Sequence, residues 1–157
     1  MAFWLMKSEP DVFSIDDLAQ CPNGTDHWDG IRNYMARNYI RDDMRVGDQV
    51  LFYHSNAKPP HVVGLAEIVS EPYPDYTARN PDSHYYDPKS TDDNPRWVMV
   101  DVRYVGKLKH TVSLGAIKAN PVLSKMMLVT HGRLSICPVT PDEWQEVLAM
   151  SEQPETR

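Results

Sequence analysis

Long apolar runs are absent. The longest apolar stretches, such as Val98–Val100 and Val50–Tyr53, are strand-sized. None approaches the roughly 20 residues that cross a bilayer as a helix, so no membrane association is expected. The opening residues MAFWLMKSEP carry no charged segment ahead of their apolar run and no small-residue cleavage site, and so predict no signal peptide. Cysteine is scarce. Cys21 and Cys137 are far apart and form no CxxC pair, so they read as buried or idle thiols. That fits a reducing cytoplasm, the expected location. A basic surplus is also missing: 16 Lys and Arg stand against 22 Asp and Glu, a formal net charge of −6. This excludes a protein that coats nucleic acid through its phosphates. Any nucleic-acid binding needs a local basic patch and a specific pocket.

Catalytic and cofactor signatures are absent as well. There is no GxGxxG, no GxxxxGK[ST] and no GxSxG. His27, His54, His61, His84, His110 and His131 show no HExxH or HxH spacing, and two isolated cysteines offer no zinc pattern. The pairs Asp16-Asp17, Asp42-Asp43 and Asp92-Asp93 sit beside helix-start or turn signals and read as solvated surface. No metal, no cofactor and no catalytic residue is therefore expected. No repeat, low-complexity tract or linker divides the 157 residues, a length that suits one core. Residues 1–150 read as a single domain and Ser151–Arg157 as a polar, frayed tail.

What is present is a spaced series of strands. Phe3–Ser8 opens it. Gln49–Ser55 is apolar on both alternating faces, a strand covered on both sides. His61–Val69 follows a Pro-containing loop and is expected to pair antiparallel with it. Trp97–Val105 alternates cleanly, and Leu134–Val139 contains Pro138, which implies an edge or a strand end. Helix signals are fewer. Ser14 precedes first-turn acids, Asn33–Asp42 sets Met35 and Tyr39 one turn apart, and Thr140-Pro141-Asp142-Glu143 is a complete start signal. Shorter helices are expected near Ser113–Ala119 and Leu123–Met127. The fold class is α+β: a mixed barrel of about five or six strands with several short helices.

Two features point to a site. Glu71–Pro95 holds Pro72, Pro74, Pro81, Pro88 and Pro95 with Tyr73, Tyr76, Tyr85 and Tyr86 between them. So long a connection in a compact domain is usually functional, and it is expected to lie over the barrel near a site. Trp4, Trp97 and Trp144 fall in apolar patterns and read as core, whereas Trp28 stands in a polar context, Asp26-His27-Trp28-Asp29-Gly30, and reads as one wall of a cavity. Arg37, Arg41 and Arg45 recur every four residues. They line one helical face, either as ordinary surface or as a phosphate-contacting ridge.

Six blocks in order, from about Phe3 to Leu148, resemble the EVE domain: Trp4-Leu5-Met6-Lys7-Ser8-Glu9-Pro10 with Phe13-Ser14-Ile15-Asp16-Asp17-Leu18, Trp28-Asp29-Gly30-Ile31-Arg32-Asn33-Tyr34, Phe52-Tyr53-His54-Ser55-Asn56, Tyr73-Pro74-Asp75, Tyr86-Asp87-Pro88 through Arg96-Trp97, and Arg133-Leu134-Ser135-Ile136. The resemblance implies a PUA-like barrel, distantly related to the YTH domains that read methylated adenine. It also implies a cavity that binds modified bases, notably modified cytosine in DNA; the oligomeric state is left open by the sequence, with a monomer the expectation. Carried over by position, Lys7, Ser8, Glu9, Trp28, Asn33, Tyr53, His54 and Ser55 line that cavity. Arg32 and Arg37 hold flanking phosphates, and Arg133 and Ser135 lie at the rim. In this scheme Trp28 stacks on the base, Ser8, Asn33 and Ser55 bond its edge, and His54 addresses a ring nitrogen. Trp28→Ala is expected to remove recognition and leave the fold intact. The alternatives are an RNA-binding PUA-like module and an enzyme acting on a nucleobase through Glu9, His54 and Asp29.

Overall fold

The computed structural model describes residues 2–83, 85–90 and 96–153. His84, the Asp92-Asp93 pair, Pro95 and the end of the tail, singled out above, lie outside the described residues. The first strand, β1 (Phe3–Ser8), forms where expected and buries Trp4, Leu5 and Met6. β2 (Thr25–Trp28) follows a short helix, α1 (Ile15–Gln20). Next come α2 (Tyr34–Asn38), β3 (Gln49–His54), β4 (His61–Ile68), β5 (Tyr73–Pro74) and β6 (Val98–Ser113). The chain closes with α3 (Leu114–Ala119), α4 (Met127–Thr130), β7 (Ile136–Val139) and α5 (Pro141–Ser151).

Local chemistry explains the boundaries. Ser14 and Thr140 each accept a bond from the third helical N–H, while Asp17 and Glu143 bond back, so α1 and α5 both start with reciprocal caps. These satisfy N–H groups that have no helical partner. α5 lays Trp144 and Val147 on the core, and Trp144 stacks on Phe3 with ring centres 4.6 Å apart. Ser151, assigned above to the tail, is buried as the last residue of α5.

The sheet has seven strands in the order β2-β6-β4-β3-β1-β7, with β5 added to β6. β1 runs parallel to β3, with Trp4 opposite Val50 and Ser8 opposite His54, and antiparallel to β7. β3 pairs antiparallel with β4, as expected, and Val50, Leu51, Phe52 and Tyr53 are all buried, so both its faces are covered. Pro138 sits on β7, an edge of the sheet, where its missing N–H costs no ladder bond.

Three expectations are corrected. The sheet is α+β and mixed but not a closed barrel: among the described residues no ladder joins β2 to β7. Both edge strands are only four residues long, and residues of β2 and of the turn into β7 face a common hollow instead of each other. β6 runs to Ser113 rather than stopping at Val105. Beyond Tyr104 its outward positions, Val105, Lys107, Lys109 and Thr111, are exposed. Hydrogen bonding to β4, rather than an apolar stripe, sustains it. The helix expected over Asn33–Asp42 is a five-residue α2 that runs into a π-turn at Tyr39–Asp43. Ala36 and Ile40 point inward while Met35 is exposed. The wider turn and the end of the helix at Asp43 leave Arg45 outside, so Arg37, Arg41 and Arg45 do not form one ridge.

Candidate functional site

The hollow lies at the end of β1, between the two edges of the open sheet. Backbone bonds set its floor. Lys7 N–H donates to the Ser135 carbonyl at 2.9 Å, and Ser55 N–H donates to the Ser8 carbonyl at 3.0 Å. These bring the ends of β1, β3 and β7 together. The hollow has a volume of about 1010 Å³ and is lined by Lys7, Ser8, Glu9, Val12, Phe13, residues 26–31, Ser55, Tyr85, Gly132, Arg133 and Ser135.

Trp28 closes β2 opposite Val100. Its ring is only 8% exposed, held by edge contacts from Phe13 at 6.5 Å and Phe52 at 5.5 Å between ring centres. It is thus a core residue and a cavity wall at once. Past it the chain turns sharply at Gly30, which has φ +77°, a conformation that suits glycine. Gly30 N–H donates to the Asp75 carboxylate at 2.9 Å, and the Tyr85 ring rests on the glycine, where any Cβ would collide with it. Tyr85 thereby supplies an aromatic face that sequence reasoning missed. The Pro- and Tyr-rich segment had marked its neighbourhood, but not which tyrosine arrives.

Arg32 holds that segment in place. Its guanidinium donates to the Tyr85 carbonyl at 2.6 and 3.0 Å, to Thr77 Oγ1 at 3.2 Å and to Asp75 at 3.1 Å. It also lies 5.4 Å from the ring centres of both Tyr85 and Trp97. Asp75 is buried and takes further bonds from Thr77. Trp97 Nε1 in turn donates to Asp87 at 2.7 Å. Arg37 covers the Tyr34 ring at 4.7 Å and donates to the Arg96 carbonyl. The two arginines assigned above to phosphates therefore spend their donors on the protein's own segment.

The cavity's polar groups are unevenly charged. Lys7 donates to the Gly132 carbonyl at 2.9 Å, and burial lowers its ammonium below the usual lysine range. Asp29 is half-buried, and desolvation raises its carboxyl above the usual range despite the pull of nearby His27. His27 lies between Asp26 at 3.1 Å and Asp29 at 3.5 Å, with the Tyr76 hydroxyl 3.4 Å away. Glu9 is exposed at the rim. The Ser8 hydroxyl donates to the Phe13 carbonyl, which fixes its oxygen rather than activating it.

Of the residues singled out from the sequence, Lys7, Ser8, Glu9, Trp28, Ser55, Arg133 and Ser135 meet at this hollow. Asn33, Tyr53 and His54 do not. Asn33 caps α2, accepting from Ala36 N–H at 3.0 Å, and lines a smaller neighbouring hollow of about 350 Å³. Tyr53 is buried beneath the Lys7 ammonium, and its phenol is pushed up to about 12 by burial. His54 faces α1, where its Nε2 accepts from Ile15 N–H at 3.1 Å. Asp26, His27, Gly30 and Tyr85 are the additions, and Asp29, named above only for the enzymatic alternative, joins them. Asp26 to Gly30 bracket Trp28 in sequence; the polar context of the indole marked them, and Asp29 and Gly30 also fall within an EVE-type block.

Both thiols are free. Burial pushes Cys137 up to about 11 and is the largest cause raising Cys21. Among the described residues no group of three His, Cys, Asp or Glu side chains is placed to hold a metal ion, and no helix is long and apolar enough to cross a membrane.

Comparison with known proteins matches residues 2–150 to the family model of the EVE domain. Human thymocyte nuclear protein 1 is 43% identical over 167 residues, covering 96% of this chain and 74% of that protein. The crystal structure of human THYN1 protein in complex with DNA containing 5-methylcytosine has a TM-score of 0.93 at 43% identity, covering 98% of this chain and 99% of that one. The YTH domain of Zygosaccharomyces rouxii MRB1 protein, solved with N6-methyladenosine RNA, has a TM-score of 0.55 at 12% identity, covering 99% of this chain and 89% of that one. This last likeness is one of fold alone.

Proposed function

The chain belongs to the EVE-domain family, and on that premise we propose that it is a non-catalytic nucleic-acid-binding domain that takes one modified base, a modified cytosine in DNA, into the hollow between β1 and Trp28. The observation that carries this reading is the open cavity of about 1010 Å³ with aromatic walls at Trp28 and Tyr85 and carboxylates at Glu9 and Asp29. That volume is at the top of the range of about 300–1,000 Å³ typical of small-ligand sites, which gives a base room with its sugar. The DNA-bound human relative supports the nature of the ligand.

A base must leave its stack to enter, at a cost of a few kcal/mol. Stacking against an aromatic face returns about 1–3 kcal/mol per base. The exocyclic amine of cytosine is a donor, and carboxylates are its usual acceptors. Asp29 and Glu9 fill that role, Asp29 from partly desolvated surroundings where the bond is stronger. Ser55 and the Ser135 region address the remaining edge. A 5-methyl group contributes about 0.8 kcal/mol by burial, so discrimination near fourfold is expected from the methyl alone.

The test is competition among matched oligonucleotides that differ only by one methyl on cytosine, in DNA and in RNA. A preference for the methylated DNA strand is expected. Equal affinity for methylated and unmethylated strands in both backbones overturns the reading, and a preference confined to RNA replaces it with the RNA-binding alternative.

A further inference from the structure

We propose that the smaller hollow beside the base cavity is a subsite for a phosphodiester, holding the backbone phosphate that flanks the base taken in. This rests on the larger cavity being a base site. The two hollows share Gly132 and Arg133, and the smaller adds Asn33, Met35, His131 and Leu134. No acid lines it. In a chain with a formal charge of −6, that wall is set apart by the Arg133 guanidinium. Arg133 and His131 are exposed on it, and Lys7 reaches the Gly132 carbonyl from the other side at 2.9 Å.

Arg133 differs from the other arginines near the site. Arg32 is bound to Asp75 and the Tyr85 carbonyl, and Arg37 to Asn38 and the Arg96 carbonyl. Arg133 has no carboxylate partner among the described residues. A guanidinium with its fork unspent is the side chain best matched to two phosphate oxygens. Asn33 uses its side-chain oxygen on Ala36 N–H, which leaves its amide NH₂ as a further donor. Met35, 47% exposed, gives the hollow an apolar side suited to a sugar or a neighbouring base. A strand that places a base in the large cavity must carry its backbone across the rim, and the phosphate next to that base falls within reach of the shared Arg133.

The experiment compares two probes, 5-methyldeoxycytidine nucleoside and a trinucleotide with 5-methylcytosine at its centre. Each is titrated into the full chain, Arg133→Gln, Arg133→Lys and a distant charge control, Lys118→Gln. Arg133→Gln is expected to weaken the trinucleotide about fivefold to tenfold and to reduce the salt slope of its binding by about 1, and to weaken the nucleoside by a smaller factor. Arg133→Lys is expected to recover part of the affinity and the whole of the slope, and Lys118→Gln to change neither by as much. Unchanged trinucleotide affinity in Arg133→Gln overturns the subsite. Equal weakening of both probes also overturns it, because Arg133 then serves the base itself. A wild-type chain that binds neither probe sinks the base-site reading and the subsite together.

Discussion

Tyr85 lies over Gly30 so closely that a Cβ on the glycine would stand 2.6 Å from the tyrosine's Cζ. One wall of the cavity therefore exists only because residue 30 has no side chain, and its φ of +77° adds a second reason for glycine. Gly30→Ala is expected to push Tyr85 off the wall and to cost about 1–3 kcal/mol of stability, the range for a residue forced into sparsely populated backbone conformations. Oligonucleotide affinity should fall in Gly30→Ala and, with little loss of stability, in Tyr85→Ala. Thermal melts beside binding isotherms separate the two effects. Full affinity in Tyr85→Ala removes Tyr85 from the site.

Trp28→Ala is expected to destabilise the fold, a revision of the expectation from sequence, because the indole is packed between Phe13 and Phe52. Truncation is expected to cost about 3–5 kcal/mol, as for other buried large aromatics. Trp28→Phe is the informative change. It keeps most of the core contact while shrinking the stacking face, and it should lower affinity for a methylated strand with a small shift in melting temperature.

Arg32 was expected to grip phosphate, and its bonds to Asp75 and Tyr85 assign it to holding residues 73–90. Arg32→Ala leaves the buried Asp75 carboxylate without its ionic partner, a loss of about 3–5 kcal/mol for buried pairs. Hydrogen exchange in residues 73–90 should accelerate first. The salt slope of nucleic-acid binding should stay close to the wild-type value, whereas a phosphate contact would lower it by about 1.

His54 is held below the ordinary histidine range, first by burial and then by nearby His61. The unfolded chain thus binds more protons than the native one between the lowered value and about 6.5. The stability involved is present in full above pH of about 6.5 and is lost as pH falls through the lowered folded value. Protonation also takes the Nε2 lone pair that receives Ile15 N–H at the start of α1. Urea midpoints at pH 7, 6 and 5 should fall for the wild type and fall less for His54→Gln, which keeps an acceptor. Parallel declines assign the slope to other groups.

Much of this protein is written locally. The Ser14 and Thr140 caps, the doubly apolar Gln49–His54 strand and the edge position of Pro138 all follow from neighbours in the chain, because capping, alternation and a missing N–H act over a few residues. The end of β1, Trp28, Ser55, Arg133 and Ser135 were likewise singled out through the EVE-type blocks, and they meet at one hollow. The reach of β6 to Ser113 was not legible, since its outer half is held by ladder bonds to β4 and carries lysines where an apolar stripe would announce a strand.

What the chain order alone determined is the family, the α+β class and the starts of β1, β3, β4, α1 and α5. Tertiary structure decided which side chains are free. Arg32 and Arg133 carry the same charge, yet a buried carboxylate and a backbone carbonyl consume one, while the other stays exposed between two hollows. Tyr85 became a wall, and Tyr53 and His54 did not, because contacts spanning tens of residues position each ring. No local pattern encodes that outcome, since a side chain's availability is set by partners that only the folded chain brings within bonding distance.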